Sequence, residues 1–255
     1  MKSALLGCTG FVGSTLVKQV SFNDTYNTKN IASIDGKEYD LVVCAAAPGS
    51  KWLANKNHKE DWVSISVLID HLKRTKINQF VLISTVDVYP RPVNVDETTT
   101  IDPEQNTSYG QHRFLLEEFV SKSFSTHIIV RLPGIFGEGI KKNIIYDFIH
   151  SNETDKIHPK SQFQFYNLAH LWDDIQTAIE ADINLMNIVT EPVSTREIYE
   201  AVFGKPFLNM AGTAPVVYDV RSIHATLYGG NHYMFDKKTM LHEIRNFIVT
   251  QRSKL

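Results

Sequence analysis

Hydrophobic positions along the chain alternate between short unbroken runs and stretches where they recur every third or fourth residue. Ala4–Leu6, Leu41–Ala46, Phe80–Ile83 and Ile128–Val130 are runs of strand length bounded by polar segments. Such runs suit parallel strands buried on both faces. Between them, Leu16, Val17 and Val20, then Val63, Val67, Leu68 and Leu72, then Phe114, Leu115, Phe119 and Val120 keep helical spacing. Strands alternating with helices predict an α/β fold with a doubly wound parallel sheet and right-handed crossovers. The second half is less regular, with helices predicted at Leu171–Ala181, Ser194–Phe203 and Lys237–Val249 and no internal repeat or linker.

Composition narrows the classes without changing this picture. The 255 residues carry 26 Lys+Arg against 28 Asp+Glu, a net charge of −2, which leaves no basic excess for binding nucleic acid. The longest apolar stretch, Leu41–Ala47, is far short of the roughly 20 residues of a membrane-spanning helix. Two cysteines, Cys8 and Cys44, cannot build a disulfide framework, so a reducing, cytoplasmic compartment is expected. No two of the ten histidines lie within five residues of each other, so no metal site is expected.

Chemistry enters at Gly7-Cys8-Thr9-Gly10-Phe11-Val12-Gly13, between the first strand and the first helix. Glycines at this spacing serve a turn of unusual backbone angles, a close approach to pyrophosphate and tight packing of helix on strand. The helix start offers amides and a positive dipole end to phosphates. The expectation is a Rossmann-type dinucleotide fold, with Gly7, Thr9, Gly10, Phe11, Val12 and Gly13 at the cofactor. If the second strand ends near Tyr26, then Asn27, Thr28 and Lys29 face the adenosine ribose, with a cation and no carboxylate. That favours NADP over NAD; a later or earlier strand end would bring Asp24 or Asp35 there instead.

Three further segments join this one. Ser84-Thr85-Val86-Asp87-Val88-Tyr89 closes the fourth strand, Ser108-Tyr109-Gly110-Gln111-His112-Arg113 opens the next helix, and Arg131-Leu132-Pro133-Gly134-Ile135-Phe136-Gly137 follows the next strand. Together they resemble the extended short-chain dehydrogenase/reductases, and more narrowly their nucleotide-sugar epimerase, dehydratase and reductase group. A looser match runs from Phe165-Tyr166-Asn167 to Asp173-Asp174-Ile175.

The resemblance implies that Tyr109 exchanges a proton with the substrate while hydride passes to or from a nicotinamide. It implies that Thr85 orients the reacting oxygen, with Ser84 in that place if the register slips by one. The family's lysine, four residues after the tyrosine, is here Arg113, which keeps the charge in a planar fork where the family has a compact ammonium. Ala46, Pro133 and Gly134 would lie beside the nicotinamide. Ser84, Asp87, Asn143 and Arg221 are the substrate-side candidates. Val86-Asp87 lacks one of the two acids that follow the threonine in sugar-nucleotide dehydratases, which favours redox or epimerisation chemistry over elimination.

One unit spanning 1–255 is therefore expected, with 1–136 holding NADP or NAD and 137–255 completing the sheet and binding a sugar nucleotide. The resemblance also implies a homodimer. The alternative, motivated by Arg113, is a dinucleotide-binding sensor that has lost catalysis.

Overall fold

A computed structural model describes residues 1–209 and 214–254. Strands β1 Ser3–Leu6, β2 Asp24–Tyr26, β3 Glu38–Cys44 and β4 Lys76–Thr85 open the chain, and β5 Val93–Val95 and β6 His127–Leu132 follow. Later come β7 Gly134–Phe136, β8 Gln162–Phe163, β9 Phe165–Asn167, β10 Leu185–Asn187, β11 Val193–Ser194 and β12 Asp219–Val220. The helices are α1 Phe11–Gln19, α2 Lys51–Lys56, α3 His58–Lys73, α4 Ser108–Ser123, α5 Ile144–His150, α6 Leu171–Glu180, α7 Thr195–Phe203 and α8 Lys237–Arg252.

Two compact units share the chain, interleaved in sequence. The first comprises Met1–Pro90, Thr99–Leu132 and Ala169–Met186. Its sheet has the order β10-β6-β4-β3-β1-β2, and β2, β1, β3, β4 and β6 pair in parallel. The predicted strands are all present, and the run Leu41–Cys44 is buried throughout, as a strand covered on both faces requires. Leu6, Val42, Phe80, Leu82 and Ile129 join Leu68, Leu72, Leu116 and Val120 in one apolar core.

The stripes of α3 and α4 are rotated from the apolar positions that the sequence pattern marks. Of the α3 positions marked, Leu68 and Leu72 are buried but Val63 and Val67 are 59% and 47% exposed, and Asp61, Ile65 and Ile69 complete the buried face. On α4 the buried face holds Tyr109, His112, Arg113, Leu116, Glu117 and Val120. Charged side chains can occupy a buried face only when paired, and both Arg113 and Glu117 have partners across the interface.

The second unit comprises Arg91–Thr98, Pro133–Leu168 and Asn187–Leu255. Short strand pairs β7–β9, β8–β11 and β5–β12 accompany helices α5, α7 and α8. Phe136, Phe148, Phe165, Ile198, Met240 and Ile244 form its own core. The predicted helices of the second half appear as α6, α7 and α8, with α7 started by a reciprocal Ser194/Glu197 capping box.

Candidate active site

The glycine turn is built by close backbone approach. Gly7 lies at φ +84°, and a Cβ there would sit 2.3 Å from the Ala45 carbonyl oxygen. A Cβ on Gly13 would meet the Gly7 oxygen at 2.1 Å, so α1 can start this near the strand only with glycine. The Gly7 and Cys8 amides donate to the Tyr26 carbonyl, 2.8 and 3.1 Å, tying the turn to the end of β2. Gly10 is the N-cap of α1, no side chain caps the helix, and its first turn, including Phe11, Val12 and Gly13, holds no acid. Thr9 is exposed at the tip. A positive helix end without a carboxylate or side-chain cap suits an anion.

β2 ends at Tyr26, the boundary on which the ribose reading depended. Beyond it the loop closes on itself, because Asn27 N–H donates to Asn30 Oδ1 (2.7 Å) and Lys29 N–H to Asn27 Oδ1 (2.9 Å). Thr28 and Lys29 are exposed. Both alternative acids are engaged elsewhere. Asp24 accepts from the Tyr39 hydroxyl and lies 3.5 Å from Lys37 Nζ, while Asp35 takes His71 and Arg74, each at 2.7 Å.

At the carboxyl end of β4, Thr85 and Tyr109 come together. Gly110 makes this approach feasible, since a Cβ there would fall 2.2 Å from the Asp87 oxygen. The Tyr109 amide donates to Asn55 Oδ1 of α2 (2.9 Å), which fixes the start of α4. The Thr85 side chain acts on the Tyr109 phenol, and burial holds that phenol above its ordinary pKa. Arg113 pulls that pKa down, Asp87 pushes it up, and Lys51 and Thr85 add smaller downward pulls.

Arg113 lies under the ring, its guanidinium carbon 4.0 Å from the Tyr109 centroid. It donates to both oxygens of Asp61 (2.5 and 2.8 Å), to the Tyr109 carbonyl (3.1 Å) and to the Pro48 carbonyl. Its Nε is buried without a partner. Asp61 also takes His112 Nδ1 at 2.8 Å. Burial alone would raise the Asp61 pKa, but the bonds from Arg113 and His112 overcome it and hold the carboxyl below the ordinary range.

The remaining candidates fall in different places. Ser84 points to the face of β4 opposite Thr85, where it donates to Glu117. Glu117 also holds the Arg131 guanidinium (Nη2 at 2.6 Å), and Arg131 Nη1 donates to the Tyr89 hydroxyl at 2.7 Å. Asp87 receives Lys51 Nζ at 2.7 Å, and both groups act on Tyr109. Ala46 follows β3, half-buried against the core.

Pro133, Gly134, Asn143 and Arg221 belong to the second unit. There Gly134 pairs with Phe165 in the β7–β9 ladder. Asn143 caps α5 by accepting from the Ile145 and Tyr146 amides (3.0 and 3.3 Å). Arg221 donates to Asn94 Oδ1 (2.6 Å) and Asp219 (3.3 Å), with its own Nε unpartnered.

Lys51, Asn55, Asp61 and His112 lie outside the site residues that sequence reasoning named. The first three lie on α2 and α3, whose polar residues carry no spacing signal toward Tyr109. Among the described residues no cluster of three or more His, Cys, Asp or Glu could hold a metal, and no helix is long and apolar enough to cross a membrane.

A model of the NAD dependent epimerase/dehydratase family matches residues 4–163. No curated protein matches the chain. Among solved structures, the chain is similar to the UDP-N-acetylglucosamine 4-epimerase of Methanobrevibacter ruminantium M1 in complex with UDP-N-acetylmuramic acid (TM-score 0.75, 14% identity, covering 100% of this chain and 99% of that one). It is also similar to the dTDP-4-dehydrorhamnose reductase of Bacillus anthracis in complex with NADP (0.75, 16%, 98% and 99%). A third similar structure is RMD from Pseudomonas aeruginosa complexed with NADPH (0.75, 14%, 100% and 100%). At these identities the likeness shows the fold.

Proposed function

The chain belongs to the NAD-dependent epimerase/dehydratase family, and from that premise we propose that it is an NAD(P)-dependent oxidoreductase or epimerase acting on a hydroxyl or keto carbon of a nucleotide-linked sugar. The observation that supports this reading is the buried Tyr109 phenol beside Thr85 at the end of β4, with the Arg113 guanidinium 4.0 Å from its ring. Proton donors and acceptors in that position serve a reacting oxygen.

The residues fit a nicotinamide dinucleotide on two counts. The Gly7 and Gly13 contacts bring α1 against β1 and leave its amino end with no side-chain cap and no acid, and Arg113 Nε is a buried donor without a partner. Gly7 to Gly13 would hold the pyrophosphate, and Asn27, Thr28 and Lys29 the adenosine ribose. With Asp24 and Asp35 committed to other partners, the lysine there favours a 2′-phosphate, hence NADP. When bound, the cofactor supplies or accepts hydride. Tyr109 then moves the proton at the substrate oxygen, Thr85 orients that oxygen, and Arg113 acts on the phenol. Asp87, Asn143 and Arg221 remain the candidates for substrate contact in this reading, and Pro133, Gly134 and Ala46 for the nicotinamide. A homodimer joined through the outer faces of α3 and α4 and a cytoplasmic location belong to the same reading.

Tyr109→Phe tests it. Turnover of sugar nucleotides should fall by about a hundredfold or more, while dinucleotide affinity by calorimetry stays nearly unchanged. Turnover equal to the parent's would remove Tyr109 from the chemistry.

One observation favours a second reading. Four of the five N–H donors of Arg113 are already spent within the protein, so a dinucleotide-binding sensor without turnover is the rival. It predicts stabilisation against heat by NADP or NAD, and no hydride transfer with any sugar nucleotide.

A further inference from the structure

A guanidinium beside a buried phenol acts according to what else holds it. Arg113 is 2% exposed, and it meets Asp61 through two parallel bonds, a fork that only arginine makes. Their side chains are 3% and 4% exposed, so neither charge is screened by water. His112 adds a third donor to the same carboxylate. The other charges facing the phenol are Lys51 from α2 and Asp87 from the turn after β4, and they too are paired with each other at 2.7 Å. Each cation near Tyr109 thus carries its own carboxylate.

Resting on the reading of Tyr109 as the proton-transfer group, we propose that Asp61 is a positioning residue for that step. It fixes Arg113 against the ring and offsets its charge, so that Tyr109 stays in its protonated, donating form. A lone buried cation 4.0 Å from the ring would draw the proton off the phenol; a paired one does so far less. The burial of Tyr109, which disfavours phenolate, acts in the same direction.

This assigns the site a direction. The reaction served without prior loss of the Tyr109 proton is reduction of a keto sugar. The keto carbon gains a hydride, with its electron pair, from a reduced nicotinamide dinucleotide, which is oxidised. The carbonyl oxygen gains the Tyr109 proton and becomes a hydroxyl, and the phenolate is reprotonated from solvent.

The test is an alkaline titration of the protein without cofactor, read by tyrosinate absorbance. Subtracting the matching variant that also carries Tyr109→Phe isolates one phenol among the ten tyrosines. Asp61→Asn should move the Tyr109 transition down by about one pH unit, and Asp61→Glu should leave it near the parent's. Because Asp61→Asn strands a buried cation and can cost folding, the double variant Asp61→Asn/Arg113→Gln, which removes both charges, is measured against Arg113→Gln alone. It should titrate lower. A transition unmoved or raised in Asp61→Asn, or a double variant that coincides with Arg113→Gln, overturns the proposal. This readout needs no substrate, so its failure is distinct from that of the assigned function, which is lost if Tyr109→Phe turns over normally.

Discussion

Arg113 and a lysine differ in what they can satisfy at the same place. Four acceptors converge there: both Asp61 oxygens, the Tyr109 carbonyl and the Pro48 carbonyl. A planar fork reaches all four, whereas an ammonium has three donors on one atom. Arg113→Lys should therefore destabilise the fold by about 1–3 kcal/mol, seen as a lower urea midpoint with an unchanged slope. Equal or greater stability would mean that the fork is not what the position requires. Tyr109 and Thr85 were legible at this scale as a helix start and a strand end, and the roles expected of them came from the resemblance of the segments that hold them. Asp61 was not, since its link to Arg113 spans 52 residues and nothing local distinguishes it from the other charges of α3.

For single elements, the strands were read well and the helices less so, for one physical reason. A segment covered on both faces must be apolar, and Leu41–Cys44 of β3 and Phe80–Ile83 of β4 say so directly, while the first residue of each strand is polar and exposed. Helix pattern reading assigns the apolar stripe to the inside, which fails where ion pairs are buried, as with Arg113–Asp61 and Arg131–Glu117. Those pairs turn α4 so that Leu115 and Phe119 are only half-buried. The elements also set the fate of the two thiols. Cys44, inside β3, has its thiol pushed up to about 12 by burial and is held as an inert core group. Cys8, in the glycine turn, is half-exposed. A thiol reagent should modify one cysteine in the folded protein and two after unfolding. Cys8→Ser should abolish the native reaction, and NADP should slow it if the turn receives pyrophosphate. Two native thiols of equal rate would contradict the burial of Cys44, and an unprotected Cys8 would count against the turn as the cofactor site.

Across the whole molecule, what remains is the apolar surface that the buried ion pairs displaced. Trp62, Val63 and Val67 of α3 are 37%, 59% and 47% exposed. Beside them a surface groove is lined by Trp62, Ile69, Leu115 and Phe119, flanked by Asp70 and Glu118 and by Lys73 and Lys122. Both signs of charge on one patch make it self-complementary under a two-fold axis, where each acid can meet a base of the second copy. Water contact with these apolar side chains is unfavourable in proportion to area, and a stable pair needs about 800 Å² covered on each partner. The expected state is a homodimer joined through α3 and α4. Sedimentation should give twice the chain mass, and Val63→Asp, which places a charge beside the groove at a position 59% exposed and outside the apolar core, should yield a folded monomer. A parent chain that sediments at its own mass at micromolar concentration would leave this surface without a second copy to cover it.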